Sequence, residues 1–439
     1  MQRRTVVLVV FCFVLAVLPL ATAAQAQDSN LPRYALPGPY SVGVRDLVTE
    51  DADHPLTVTV WYPALEPENG PASTGYDWGG RWTIDGFALR DAAPDTAAVP
   101  YPLVIFSHGL GGWRNQSTFL TEHLASYGVV VMAADHPGST LFDLWSGIAD
   151  LDDSAISELV QNGLSLDHSA LQSVSGDGVD AVGGITRSFA DRPLEVIRLI
   201  DFAANPSPAG SFLVGLVDTD QVAVIGHSFG GYTAVAAGGA RLDMAGSAEW
   251  CRDPWLVTYD PAAEPPFGVE PAPAEVTFAA CFLRFFAGDI AEARGLDDTP
   301  TGLWPATTDP RIKAIVALAP FGGPAFGQDG LAALTVPAMI QVGTADATTI
   351  PGRDAYMIYE GVGSASRALV TFDGADHLIF ANLPFDLADP VWSADEVRPL
   401  INHFATAFLL TRLAGDADAE AVLANDAVDI PGVNIISTP

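Results

Sequence analysis

Lysine is almost missing from this chain: Lys313 is the single one among 439 residues. Basic residues total 20 against 53 acidic ones, a formal net charge of −33. Such a surface repels phosphate backbones and anionic lipid headgroups, so nucleic acid and charged membrane surfaces are excluded as electrostatic partners. Cysteine is scarce as well, with three in all, and none stands at a zinc-site spacing. No apolar run reaches membrane-spanning length. The longest start-proximal run, residues 6–18, is 13 residues and is too short for a spanning helix. It follows Arg3 and Arg4 and precedes Pro19 and the small-residue stretch Ala24-Gln25-Ala26. That order is expected of an export signal over residues 1–26, cleaved to release a secreted or periplasmic protein with no stable membrane insertion.

Cys251 and Cys281 are the cysteines left after such cleavage. In an oxidising compartment they are expected to pair, closing a loop of about 30 residues and adding ~3 kcal/mol through the unfolded state. Two buried thiols are the alternative.

What is present is half apolar, 49% hydrophobic, and patterned. Short apolar runs at residues 103–106, 129–134, 221–225, 312–318, 338–342 and 368–372 read as buried strands. Helical segments at 117–127 and 192–203 fall between them. Residues 56–62 alternate like an antiparallel edge strand, with 40–48 as a pairing partner. Ser393-Ala394-Asp395-Glu396 is a capping box that opens a helix closed by Gly415. The alternation predicts an α/β fold with a mostly parallel central sheet and helices on both faces. Residues 27–439 form a single domain in this reading. Segments 141–190 and 241–308 interrupt the alternation and are expected as a lid or pocket wall, or as surface excursions. Residues 27–39 and 416–439 read as weakly structured ends.

Behind the run 221–225 stands Gly226-His227-Ser228-Phe229-Gly230. A strand that enters Gly-x-Ser-x-Gly and leaves as a helix is the nucleophile elbow of α/β-hydrolases. A serine hydroxyl needs a base, and in this fold the order is Ser, acid, His. Only His377 and His403 follow Ser228. His377 sits in a turn after the strand at 368–372 and is the expected base. His403 lies inside a predicted helix and is expected to pack. Asp346, in the loop after 338–342, is the expected acid, ahead of Asp373 and Asp376. His227, at the variable position of the elbow, is expected to point away from the hydroxyl. The oxyanion is assigned to the backbone N–H groups of Phe229 and Leu110, the latter in the Gly-rich loop Ser107-His108-Gly109-Leu110-Gly111-Gly112. Trp113 and His136 are the substrate-binding candidates.

Several of these stretches resemble one family. Residues 101–111, His123-Leu124-Ala125-Ser126-Tyr127-Gly128, Asp135-His136-Pro137-Gly138-Ser139, Arg192-Pro193-Leu194 and the elbow itself look like plasma-type platelet-activating-factor acetylhydrolases and their dienelactone-hydrolase-like bacterial relatives. The resemblance runs over roughly residues 40–240 and more faintly over 309–380. True dienelactone hydrolases carry a cysteine nucleophile, where this chain has Ser228. In the plasma-type enzymes the acid follows the strand after the elbow helix, and here residues 317–321 hold no carboxylate. Asp346, one strand later, is placed as in bacterial cutinases. The resemblance implies a secreted serine carboxylester hydrolase acting on small or lipid-like esters, with no cofactor and no metal. A polyester hydrolase, a non-catalytic binding protein on the same fold and a structural envelope protein are the competing readings.

Overall fold

Strands covered on both faces need apolar side chains at every position, and the central runs of this sequence supply them. In the computed structural model, described here for residues 31–51, 53–67, 73–78, 82–144, 178–251, 283–382, 389, 391–425 and 429–438, these runs meet in an eleven-stranded sheet. Its strands are β1 (Ser41–Val48), β2 (Thr57–Ala64), β3 (Ser73–Trp78), β4 (Trp82–Arg90), β5 (Tyr101–Ser107), β6 (Val130–Ala134), β7 (Val217–His227), β8 (Ile312–Leu318), β9 (Ala338–Gly343), β10 (Arg367–Phe372) and β11 (Val433–Thr438). The order across the sheet is β11-β10-β9-β8-β7-β5-β6-β2-β1-β4-β3. From β6 to β10 every neighbouring pair is parallel. β1 and β2 pair antiparallel, as the alternation at 56–62 led one to expect, and β2 joins β6 antiparallel.

Successive side chains on a strand face opposite ways, and two cores result. Leu103, Ile105, Val222 and Val224 belong to one, while Val104, Phe106, Ala223 and Ile225 belong to the other. The first core is covered by α2 (Gly178–Ala204), α3 (Phe229–Ala237), α5 (Gly323–Ala332) and α6 (Ala355–Gly361), the second by α1 (Thr118–Ser126) and α7 (Ala394–Leu409). A short α4 (Met244–Trp250) packs on α5. α7 opens on the expected capping box, Ser393 with Glu396, and its extension ends at Gly415 in the left-handed region, φ 68°. Residues Pro32–Pro439 form one compact unit.

The chain leaves β5 toward β6 on one side and returns to β7 on the other. That reversal is a topological switch point, where a crevice opens at the carboxyl ends of the strands. The Gly-rich loop follows β5 and the Gly-x-Ser-x-Gly turn follows β7, so both sit at its mouth.

Three expectations change, and one hairpin is new. Residues 32–39 are not loose, because Tyr34 and Ala35 are buried, Tyr34 in the core beneath α1 and α7. Residues 433–438 are the edge strand β11, antiparallel to β10 from Arg367↔Thr438 to Phe372↔Val433. The β3–β4 hairpin was unforeseen. It is pinned to α1 by the buried Glu122, whose carboxylate accepts from Tyr76 Oη at 2.5 Å and from the N–H groups of Phe87 and Ala88 at 2.9 and 3.0 Å. Residues 178–190 of the first expected insertion are the opening turns of α2. The rest of that insertion from 145, the central part of the second, 252–282, and the expected signal at 1–26 lie outside the described residues.

Candidate active site

Ser228 sits where β7 gives way to α3, with φ 58° and ψ −117°. A side-chain-bearing residue at positive φ costs of order 1–3 kcal/mol and persists only where its surroundings fix it. Here the Ser228 N–H donates to the Leu318 carbonyl at 2.9 Å, and its own carbonyl accepts from Phe321 N–H at 3.0 Å. The two glycines of the motif are forced by contact. A Cβ at Gly226 stands 1.9 Å from the Gly230 oxygen, and one at Gly230 stands 1.9 Å from the Ser107 oxygen. The loop after β5 closes against the serine, since a Cβ on Gly109 lies 3.3 Å from Ser228 Cβ.

His377 opens a short 3-10 turn, His377–Phe380, beyond the end of β10. Its Nδ1–H donates to Asp346 Oδ2 at 2.7 Å, with both side chains buried. Asp346 is held in turn. Oδ1 accepts from the N–H groups of Thr348 and Thr349, each at 2.8 Å, and the Thr349 hydroxyl lies 2.8 Å from Oδ2 and 3.1 Å from His377 Nδ1. A proton on Nδ1 leaves a lone pair on Nε2. That nitrogen is buried and has no hydrogen-bond partner among the described residues, Ser228 Oγ included. The rival carboxylates are engaged elsewhere. Asp376 caps the 3-10 turn through Leu378 N–H at 2.8 Å, and Asp373 accepts from Asn434 Nδ2 at 3.2 Å. His403 is buried in α7, where Nδ1 accepts from the Tyr34 N–H at 3.2 Å.

The Gly-rich loop is tied to both of these parts by one relay. Gly109 N–H donates to Gln116 Oε1 at 2.9 Å, Gln116 Nε2 donates to His227 Nδ1 at 2.8 Å, and His227 Nε2 donates to the His377 carbonyl at 3.0 Å. This chain of donors fixes the His227 tautomer. Burial, reinforced by the neighbouring His377, holds the His227 pKa well below the ordinary histidine value, so the relay stays neutral. Neither Leu110 nor Phe229 donates its N–H to another described residue. Phe229 is the first residue of α3, where an N–H has no partner within the helix.

His136 does not face a substrate. It is 1% exposed, with Nε2 2.8 Å from Ser107 Oγ and Nδ1 2.6 Å from Glu195 Oε2. Both ring nitrogens are taken, so it serves behind the loop and not in the crevice. Burial pushes the Glu195 carboxyl up to about 7, against the pull of Arg192 and Arg198, and holds His136 well below its usual value. The set Ser107–His136–Glu195 copies the order of a serine–histidine–acid trio, but all three are buried and Ser107 is sealed under the loop. Trp113 is buried too, its ring 5.0 Å from that of Trp78. Cys251 caps α4, and Cys281 lies outside the described residues. Sequence reading did not find Gln116, Thr349 or Glu195, and it named Arg192 only within a family-like stretch. Gln116, Glu195 and Arg192 meet partners 111, 59 and 84 positions away, while Thr349 stands three positions from Asp346 with no pattern to mark it. His227 was found but given no task.

Residues 89–141, which include β5, the Gly-rich loop, α1 and β6, match the family described as platelet-activating factor acetylhydrolase, isoform II. The chain is 24% identical over 272 residues to the platelet-activating factor acetylhydrolase of Canis lupus familiaris, covering 55% of this chain and 59% of that one. For the Bos taurus protein of the same name the figures are 25% over 245 residues, 49% and 53%, and for that of Gallus gallus 26% over 236 residues, 45% and 54%. The matched part thus spans little more than half the length of these relatives. Among solved structures, a ferulic acid esterase from Streptomyces cinnamoneus aligns with a TM-score of 0.52 at 17% identity, over 92% of this chain and 98% of that one. The likeness is one of fold. This chain has the α/β-hydrolase fold and resembles the platelet-activating factor acetylhydrolase branch.

Proposed function

We propose that this chain is an exported serine carboxylester hydrolase that works through an acyl-enzyme on small or lipid-like esters. The observation that carries the reading is the Asp346–His377 pair at 2.7 Å, with Nε2 unpartnered, together with the strained Ser228 at the end of β7. The acetylhydrolase and esterase names of the matched proteins agree with it.

Ser228 Oγ attacks the ester carbonyl carbon as its proton passes to His377 Nε2. Substrate closes the Ser228–His377 hydrogen bond, which is commonly long in an empty site. The carbonyl oxygen becomes an oxyanion held by the N–H groups of Leu110 and Phe229. Asp346 fixes the Nδ1–H tautomer and stabilises the imidazolium. Collapse breaks the carbon–oxygen bond, and the departing alcohol takes the proton from Nε2. Water then attacks the acyl-enzyme, gives a proton to Nε2, and the acid leaves as Ser228 regains its hydrogen.

A Cys251–Cys281 disulfide belongs to the proposal. A polyester substrate is the second reading, favoured by the acid standing after β9 while residues 317–321 beyond β8 carry no carboxylate.

Fluorophosphonate labelling with peptide mapping tests the core claim. The adduct is expected on Ser228 and is absent in Ser228→Ala, which loses ester hydrolysis. An adduct elsewhere, or turnover by Ser228→Ala, overturns the reading.

A further inference from the structure

Arg192 lies within α2, 0% exposed, and no step above uses it. A buried guanidinium is expensive unless its N–H groups are matched. These are matched on the loop that follows β5. Nη1 donates to the His108 carbonyl at 2.6 Å and Nη2 to the Gly109 carbonyl at 3.3 Å. Nε and Nη2 donate to Ser139 Oγ at 3.2 and 2.8 Å, and the Ser139 carbonyl accepts the Gly111 N–H at 2.9 Å.

The Gly109 carbonyl belongs to the same peptide unit as the Leu110 N–H. In a planar trans peptide the two point in opposite directions. Donors gathered on the Gly109 oxygen therefore aim the Leu110 N–H. Three gather there: Arg192 Nη2, Gly112 N–H at 3.1 Å, and His108 Nδ1–H at 2.7 Å. The proton sits on His108 Nδ1 because Nε2 accepts from the His136 N–H at 3.1 Å. The Arg192 guanidinium also lies 4.6 Å from the centre of the Phe229 ring. It thus touches the peptide unit that carries the Leu110 N–H, at its Gly109 carbonyl end, and the ring of Phe229.

We propose that Arg192 is the positioning residue of the oxyanion hole. It clamps the Gly109–Leu110 peptide from behind and stacks on Phe229, whose N–H is the second donor. The inference rests on the reading of Leu110 and Phe229 as that hole. Charge-assisted bonds to the carbonyl end polarise the peptide and strengthen its N–H end. A fixed positive charge behind the loop, in a medium of low dielectric, also favours the negative charge that develops in front of it.

A pillar that only holds helix to loop gives a different pattern on substitution. Lysine keeps the charge and most of the stem but lacks the planar fork that reaches His108, Gly109 and Ser139 together. The test compares wild type, Arg192→Lys and Ser139→Ala for kcat and KM on p-nitrophenyl butyrate. It adds the inhibition constant of a trifluoromethyl ketone, whose adduct with Ser228 places an oxyanion in the hole, and thermal unfolding of each protein. For Arg192→Lys, kcat is expected to fall ~10- to 100-fold, less than the ~100- to 1000-fold seen when a hole donor itself is removed, because the donor stays and only its support is lost. KM should stay within about threefold, and ketone affinity should fall by the factor lost from kcat/KM. If Arg192→Lys does not fold, Ser139→Ala decides, because it removes one acceptor and leaves the guanidinium in place. Its kcat and ketone affinity should fall together by ~3- to 10-fold, a fraction of a full donor loss. A folded Arg192→Lys with wild-type kcat and ketone affinity, or a loss confined to KM, sinks the proposal, as does an unaltered Ser139→Ala where the lysine variant is unfolded. Failure of wild type to hydrolyse the ester is a different result and refutes the assignment of the site itself.

Discussion

Asp346 shows how far a single side chain can be argued. Its Oδ1 accepts two backbone N–H groups and its Oδ2 accepts from His377 Nδ1. Asparagine at this position keeps its oxygen where the two N–H groups point, so its NH2 takes the place of Oδ2. Facing an NH2 group, Nδ1 must accept, and the ring proton moves to Nε2, where the base needs its lone pair. Asp346→Asn is therefore expected to fold normally and to lose ~10⁴-fold in kcat, the scale of a wrong-tautomer defect. Steady-state kinetics and a melting curve check it, and a loss under tenfold contradicts the assigned tautomer. Asp346, His377 and the elbow glycines were legible because each lies at a strand end within a few residues of a recognisable pattern. Gln116 and His227 stand 111 positions apart, and no local pattern announces that their side chains meet. His136 was misread for the same reason, since its partners Ser107 and Glu195 are 29 and 59 positions away.

At the scale of elements, the central strands were readable because burial on both faces leaves an unbroken apolar run. The ends of the sheet were not. β3 is Ser-Thr-Gly-Tyr-Asp-Trp, whose Gly and Asp read as a turn, and its place is set by Glu122 on a distant helix. The segment around Tyr34 is another element fixed only by tertiary contacts. Tyr34 N–H donates to His403 Nδ1 on α7, and its carbonyl accepts from His123 Nε2 on α1 at 2.9 Å. Burial lowers both histidines to about 4. In the unfolded chain they titrate near their ordinary 6.5. The folded state therefore binds fewer protons between those values, and stability falls as pH drops from about 6.5 toward 4. His403→Phe cannot titrate. At pH 7 it should be less stable than wild type by ~1–3 kcal/mol, the penalty of leaving the Tyr34 N–H unmatched. On acidification the gap should narrow by about 1.4 kcal/mol per pH unit and close near pH 5. Urea unfolding at pH 7, 6 and 5 measures it, and a gap independent of pH shows that His403 is not held neutral.

At the scale of the whole molecule, one topological reversal brings the loops after β5 and β7 to a common crevice, while β9 and β10 deliver Asp346 and His377 from the same edge of the sheet. The alternation of strand and helix implied that architecture, and the elbow placed it. The net charge of −33 belongs to no element and acts on all of them. With 53 carboxylates against 20 cationic side chains, most acidic groups have no opposite charge to pair with. Their mutual repulsion is relieved when the chain expands, so it opposes the folded state. Salt acts on both signs of interaction. It weakens surface pairs such as Arg33–Asp418 at 3.0 Å, but such exposed pairs contribute little to stability. The same salt screens the far more numerous like-charge contacts, since the Debye length shrinks from about 10 Å at 0.1 M to about 3 Å at 1 M. Repulsion is the larger quantity, so the melting temperature is expected to rise by a few degrees between 0.05 and 1 M sodium chloride. Chloride is the right anion for the measurement, because sulfate strengthens apolar burial on its own and mixes the two effects. A melting temperature that falls or stays level over that range shows that the acidic surface is balanced locally, by pairs that matter more than their exposure indicates.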